Sequence, residues 1–181
     1  MNTLIIHPED NSTDFLDVIY RDIQDKLVIR NSHSKQELKE MMGEFDRIMM
    51  MGHGSPSGLF SVGSFPHNNG FVIDSSFVDI LKQKENSVYI WCHASDFVEQ
   101  HDLKGFCSGM FISEVSEASF CGLKGIDQKV VDESNFEFCD ILANVVERDS
   151  KSIFEIISDS YGRLAKFNKV AAYNLDRLKL A

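Results

Sequence analysis

The chain has 181 residues, 43% of them hydrophobic, with a formal net charge of −10 and an isoelectric point near 5.0. That length suits one domain over residues 1–181, able to bury a core without metal or disulfide staples. The acidic balance lacks the clustered Lys and Arg that neutralise phosphates or dock on anionic lipid, so neither nucleic acid nor a membrane is an expected partner.

The sequence opens Met1-Asn2-Thr3, without the basic start of a secretory signal, and no apolar run nears the roughly 18 residues that cross a bilayer; a cytoplasmic protein is expected. Over the first ninety residues short apolar runs alternate with amphipathic stretches, the pattern of βα units around a parallel sheet. Leu4-Ile5-Ile6, Leu27-Val28-Ile29, Ile48 to Met51 and Val88 to Trp91 are the predicted strands. Phe15, Val18, Ile19 and Ile23 share one helical face behind Ser12, Thr13 and Asp14, which are capping-type residues. Ser34 and Glu37 form a capping box ahead of a stripe of Leu38, Met41, Met42 and Phe45. Met49-Met50-Met51 reads as core filling, since thioethers adapt to irregular gaps.

A passage rich in Ser, Gly and Pro follows from Gly54 to Gly70, and its flanks, Leu59 to Val62 and Phe71 to Ile73, are predicted to pair as a hairpin. Ser75 then reads as the cap of a short helix through Phe77, Ile80 and Leu81. Met110-Phe111-Ile112 is a fifth predicted strand. Beyond it, Cys139, Leu142, Val145 and Val146, and then Ile153, Ile156, Ile157, Tyr161 and Leu164, repeat at helical spacing, so residues 130–181 are expected to be mainly helical.

In an open α/β sheet reacting groups gather at the carboxyl ends of the strands. His53 stands one glycine past Met51, and Cys92 directly follows Trp91. If their strands are neighbours, about 4.8 Å apart, the two side chains meet. An imidazole beside a thiol either takes its proton or steadies a thiolate already formed and acts mainly as the acid; the sequence leaves both open. Cys92 is thus the expected nucleophile and His53 the acid/base, with the N–H groups of Gly54 and Cys92 available to a developing oxyanion. Cys107, Cys121 and Cys139 read as small buried hydrophobes with free thiols. A metal site drawn from Cys92, His93, His101, His53 and His67 lacks the usual ligand spacings, so no metal or cofactor is called for. Gly52 to Gly58 also lacks both the dinucleotide and the Walker patterns, and Pro56 removes an N–H that a phosphate cradle would use.

These residues resemble the caspase-like cysteine peptidases, the group with caspases, gingipains, clostripain, separase and CHAT domains. The resemblance rests on an apolar strand ending in His53-Gly54, a hairpin and helix, and an apolar strand ending in Cys92, followed by His93-Ala94-Ser95. It covers about residues 1–120 and implies a mostly parallel sheet flanked by helices, a Cys-His dyad, a thioester intermediate and a peptide or protein substrate. Two positions depart from the family pattern: Trp91 stands where a small residue is common, and Ile90 where some relatives carry a substrate-selecting acid. Glu114 and Glu117, past the fifth predicted strand, lie where they can reach the same mouth and favour a basic substrate residue, and Glu114 is the substrate-binding residue selected; as a plain alternative, both are solvated surface acids. The competing reading keeps the fold without the chemistry, as a module that binds a protein or peptide.

Overall fold

Apolar runs with no polar alternation become strands covered on both faces, and the computed structural model, which describes residues 1–31, 33–63, 65 and 70–181, has such a sheet at its centre. In chain order it comprises β1 (Thr3–Ile6), a 3-10 turn at Asp14–Leu16 running into α1 (Asp17–Tyr20), β2 (Lys26–Ile29), α2 (Lys35–Glu44) and β3 (Arg47–Met51). Then come β4 (Gly54–Ser55), β5 (Gly58–Phe60), β6 (Phe71–Ile73), α3 (Val78–Leu81), β7 (Val88–Ile90), α4 (Ala94–Gln100) and β8 (Phe106–Ser108). Helices α5 (Val115–Phe120), α6 (Gln128–Val145), α7 (Ser150–Ala165) and α8 (Lys169–Leu175) lead to β9 (Leu178–Leu180). The main sheet has the order β2-β1-β3-β7-β8-β9, parallel except for β9, and β4-β5-β6 form a separate antiparallel sheet. The chain is therefore α/β with a six-stranded, mostly parallel sheet.

Alternation along the strands builds two cores. Ile5, Met49, Met51, Val88 and Ile90 face Phe138, Leu142, Ile153 and Ile157 of α6 and α7. Leu4, Ile6, Ile48, Met50, Tyr89 and Trp91 face Leu38 and Met42 of α2 and Phe97 of α4. The methionine run thus fills both layers, as read from sequence. The Ser34–Glu37 capping box is present, with Ser34 N–H donating to Glu37 Oε2 at 2.7 Å. No helix among the described residues is long and apolar enough to cross a membrane.

Three local expectations are corrected. Met110 to Ile112 is not a strand: the fifth parallel strand is Phe106–Ser108, and the chain leaves the sheet at Gly109, whose N–H donates to Arg177 O at 2.7 Å. Ile112 is instead held by the side-chain amide of Asn174, which accepts from its N–H at 2.7 Å and donates to its C=O at 2.9 Å, doing the work of a strand partner. The C-terminal third is mainly helical, as expected, and closes with a short strand, β9, which pairs antiparallel with β8. The helix expected through Ile23 stops at Tyr20, although Ile23 is still buried. Asp74 rather than Ser75 caps the turn before α3, its carboxylate accepting from Ser76 N–H at 3.0 Å. Of the passage expected to be looped, β5 and β6 pair as the hairpin foreseen, with β4 added.

Candidate functional site

The two selected side chains come together because β3 and β7 are neighbours in register, Met51 opposite Ile90, with Gly52 N–H donating to Ile90 O at 3.0 Å. His53 and Cys92 stand two residues further along each strand, at the carboxyl end of the sheet. Both line one small cavity of about 30 Å³, with Thr13, Phe15, Ile90, Phe111 and Ser113 among its walls. After Cys92 the chain turns sharply: His93 is left-handed at φ 67°, Ala94 N–H returns to Trp91 O at 3.1 Å, and α4 begins. His93 is occupied with Asp96, its Nδ1 lying 2.9 Å from Oδ2.

No hydrogen bond joins Cys92 to His53 among the described residues. The Cys92 thiol donates to the Phe111 carbonyl at 3.6 Å. Burial pushes it up to about 11, the Phe111 contact opposing and the Glu117 charge adding to the shift. At rest it is a neutral thiol. Cys107 and Cys139 are buried, and burial pushes the Cys107 thiol to about 12 and the Cys139 thiol higher still; Cys121 is half-exposed, against the expectation of a buried residue. All four thiols are unpaired.

His53 is engaged on its other side. Its Nε2 lies 2.7 Å from Ser12 Oγ, and Ser12 Oγ donates to Asp10 Oδ1 at 2.6 Å while Ser12 N–H donates to the same oxygen at 2.9 Å. Those bonds from Ser12, hydroxyl first, hold the Asp10 carboxyl below the usual carboxylate range, with the His53 charge contributing. Sequence reading took Ser12 only as a capping residue. The signal that finds it is strand order: β1 lies against β3, so the loop after β1 lies beside His53.

Trp91, the departure from the family pattern, packs beneath the site. It meets Tyr89 and Phe97 edge-on at ring separations of 5.9 and 5.7 Å, and its Nε1 donates to Ser55 O at 3.1 Å. This explains the glycine after the histidine. A Cβ on Gly54 would lie 2.2 Å from Trp91 Cδ1 and 2.6 Å from Gly58 O. Gly54→Ala is expected to lower stability by about 2 kcal/mol, measured by urea unfolding, because the backbone oxygen cannot yield as a side chain would. Trp91→Phe keeps ring atoms at Cγ and Cδ1, the two positions the added Cβ meets, and should not recover the loss, and the Gly58 clash persists in any case.

A larger cleft of about 600 Å³ adjoins the small cavity through Phe15 and Ser113 and continues between Ser12, Val18, Glu114, Val115, Asp132, Asn135 and Phe136. Phe15, Val18, Val115 and Phe136 are its main apolar lining, and Glu114 and Asp132 are its charged groups. Glu114 lines it. Glu117 does not: its carboxylate accepts from Ser113 N–H at 2.7 Å and Glu114 N–H at 3.0 Å, capping α5. Asn135, on α6, donates to Ser113 O at 2.9 Å and leaves its own Oδ1 buried without a partner. Among the described residues no three His, Cys, Asp or Glu side chains converge as metal ligands; His67 lies outside those residues.

No family model matches this sequence, and neither a curated protein nor a solved structure matches it significantly.

Proposed function

We propose that this chain is a cysteine peptidase of the caspase-like type, cutting peptide bonds through a thioester at Cys92 with His53 as acid and base. The observation that carries the reading is the in-register pairing of β3 with β7, which sets both residues on one cavity at the carboxyl ends of the sheet. The likeness of His53-Gly54 and Cys92 to the family motifs adds to it. Because the resting thiol is neutral and bonded to Phe111 O, His53 takes its proton during attack rather than stabilising a preformed thiolate. The N–H groups of Gly54 and Cys92 are assigned to the oxyanion. The adjoining cleft, lined by Phe15, Val18 and Phe136 together with Glu114 and Asp132, takes a substrate residue with an aliphatic stem and a cationic head, Glu114 meeting the charge.

A second reading, a domain that binds a peptide without cutting it, draws on the raised Cys92 thiol and its bond away from His53. Incubating the full chain and a Cys92→Ala variant with a random peptide library, followed by mass spectrometry of the products, separates the two. Cleavage after Lys or Arg by the wild type alone is expected. Intact peptides with both proteins, each folded, would overturn the peptidase and leave the binding module.

A further inference from the structure

We infer that Ser12 and Asp10 are positioning residues of the site, forming a hydroxyl-bridged relay, Asp10–Ser12–His53, that fixes which imidazole nitrogen faces the thiol. The inference rests on the reading of His53 as the acid/base of Cys92, and it adds the group that orients the base. The Ser12 hydroxyl has one proton. Its 2.6 Å contact to Asp10 Oδ1 uses that proton, since an ionised carboxylate only accepts. The Ser12 oxygen therefore meets His53 as an acceptor at 2.7 Å, which requires a hydrogen on Nε2. A neutral ring then carries its lone pair on Nδ1, the nitrogen left for Cys92.

The proton movements balance on that arrangement. In attack the Cys92 S–H bond breaks, its proton passes to His53 Nδ1, and the sulfur bonds to the substrate carbonyl carbon while the C=O π pair moves onto its oxygen. The imidazolium keeps its Nε2 proton, still donated to Ser12, and its charge is met by the Asp10 carboxylate through the hydroxyl. Nδ1 then returns its proton to the amine nitrogen as the oxyanion re-forms C=O and the C–N bond breaks, leaving the thioester at Cys92. No proton is required to travel along the relay. Ser12 serves as a bridge because Asp10 also binds the Ser12 N–H at 2.9 Å, so both bonds to the carboxylate hold the serine as a small rigid turn. Ser12 also forms part of the wall of the 600 Å³ cleft, so an occupant of that cleft touches the relay.

The test is the tautomer of His53, read by ¹⁵N chemical shifts in the full chain with labelled histidine, together with the rate of Cys92 alkylation by iodoacetamide. The wild type is expected to show the Nε2–H form. Ser12→Ala should populate both tautomers and slow Cys92 on the order of tenfold, Asp10→Asn should fall between, and Ser12→Thr, which keeps the hydroxyl, should restore both readouts. An unchanged tautomer and an unchanged Cys92 rate in Ser12→Ala and Asp10→Asn, both folded by circular dichroism, would overturn the relay. If His53→Ala leaves the Cys92 rate unaltered, the dyad reading falls; a tautomer change in Ser12→Ala then still upholds the Ser12–His53 contact, because it does not depend on the thiol.

Discussion

Replacing His53 by alanine is expected to slow acylation of Cys92 at pH 7 by about 10²- to 10⁴-fold, the usual worth of a positioned proton acceptor. It should also change the form of the pH dependence. With its proton held up to about pH 11, the free thiol supplies only about one thiolate in 10⁴ at pH 7, so attack without a base is limited by that fraction. The variant's rate should therefore climb about tenfold per pH unit between roughly pH 6 and 9. The wild type, in which the ring removes the proton as the sulfur attacks, should climb less steeply, because its rate is not tied to the free thiolate fraction. The measurement is release of nitrophenolate from a p-nitrophenyl ester carrying a lysine side chain, followed against pH in both proteins, with Cys92→Ala as the blank. Identical profiles in wild type and His53→Ala would mean that the histidine contributes nothing and that Cys92 is an ordinary buried thiol.

The site was legible because its two main residues sit where strand pattern alone puts them. Met51 and Trp91 close unmistakable apolar runs, and neighbouring parallel strands of equal depth bring the next residues together. What was not legible depends on partners distant in sequence. Phe106-Cys107-Ser108 has one large apolar side chain between two glycines and no strand pattern of its own, yet it is a buried strand, with Ser108 satisfied by donating to Trp91 O at 2.9 Å. Phe111 and Ile112 look more strand-like and are not, because Phe111 packs into the core under α6 and α7 while Ile112 joins a separate small cluster with Ala118, Val131 and Val170, and Asn174, 62 residues on, satisfies the Ile112 backbone. Gly54 illustrates a second limit. Sequence gave Gly54 a chemical reason to be glycine, whereas the packing of Trp91 and Gly58 supplies a steric one that suffices by itself. Ser12 and Asp10 escaped notice for the first of these reasons: a serine three residues ahead of Phe15 is an everyday turn residue until β1 is known to lie against β3.

The same loop answers to a second histidine, and acidification is expected to destabilise the protein through it. His7 follows β1 and is fully buried, with Nδ1 3.0 Å from Tyr20 Oη and Nε2 3.1 Å from Thr13 Oγ1. Asp17 lies 3.1 Å from Nδ1, which favours a charged ring. Burial opposes the charge more strongly, and Arg30, which grips both oxygens of Asp17 at 2.8 Å, adds to that opposition. The balance lowers His7 from 6.5 to about 4. Because the folded ring binds its proton more weakly than the unfolded one, the native state holds fewer protons between those values, and stability rises with pH across that window. The contribution is complete above about pH 6.5 and is lost as the pH falls toward 4, amounting to about 3 kcal/mol. Urea unfolding of the wild type at pH 7 and pH 4.5 should show most of that loss, before the carboxylates held below their usual range begin to protonate. His7→Gln, which keeps a polar side chain between Thr13 and Tyr20, should be less stable at pH 7 but should lose much less between the two pH values. Equal losses in both proteins would assign the acid sensitivity to other groups.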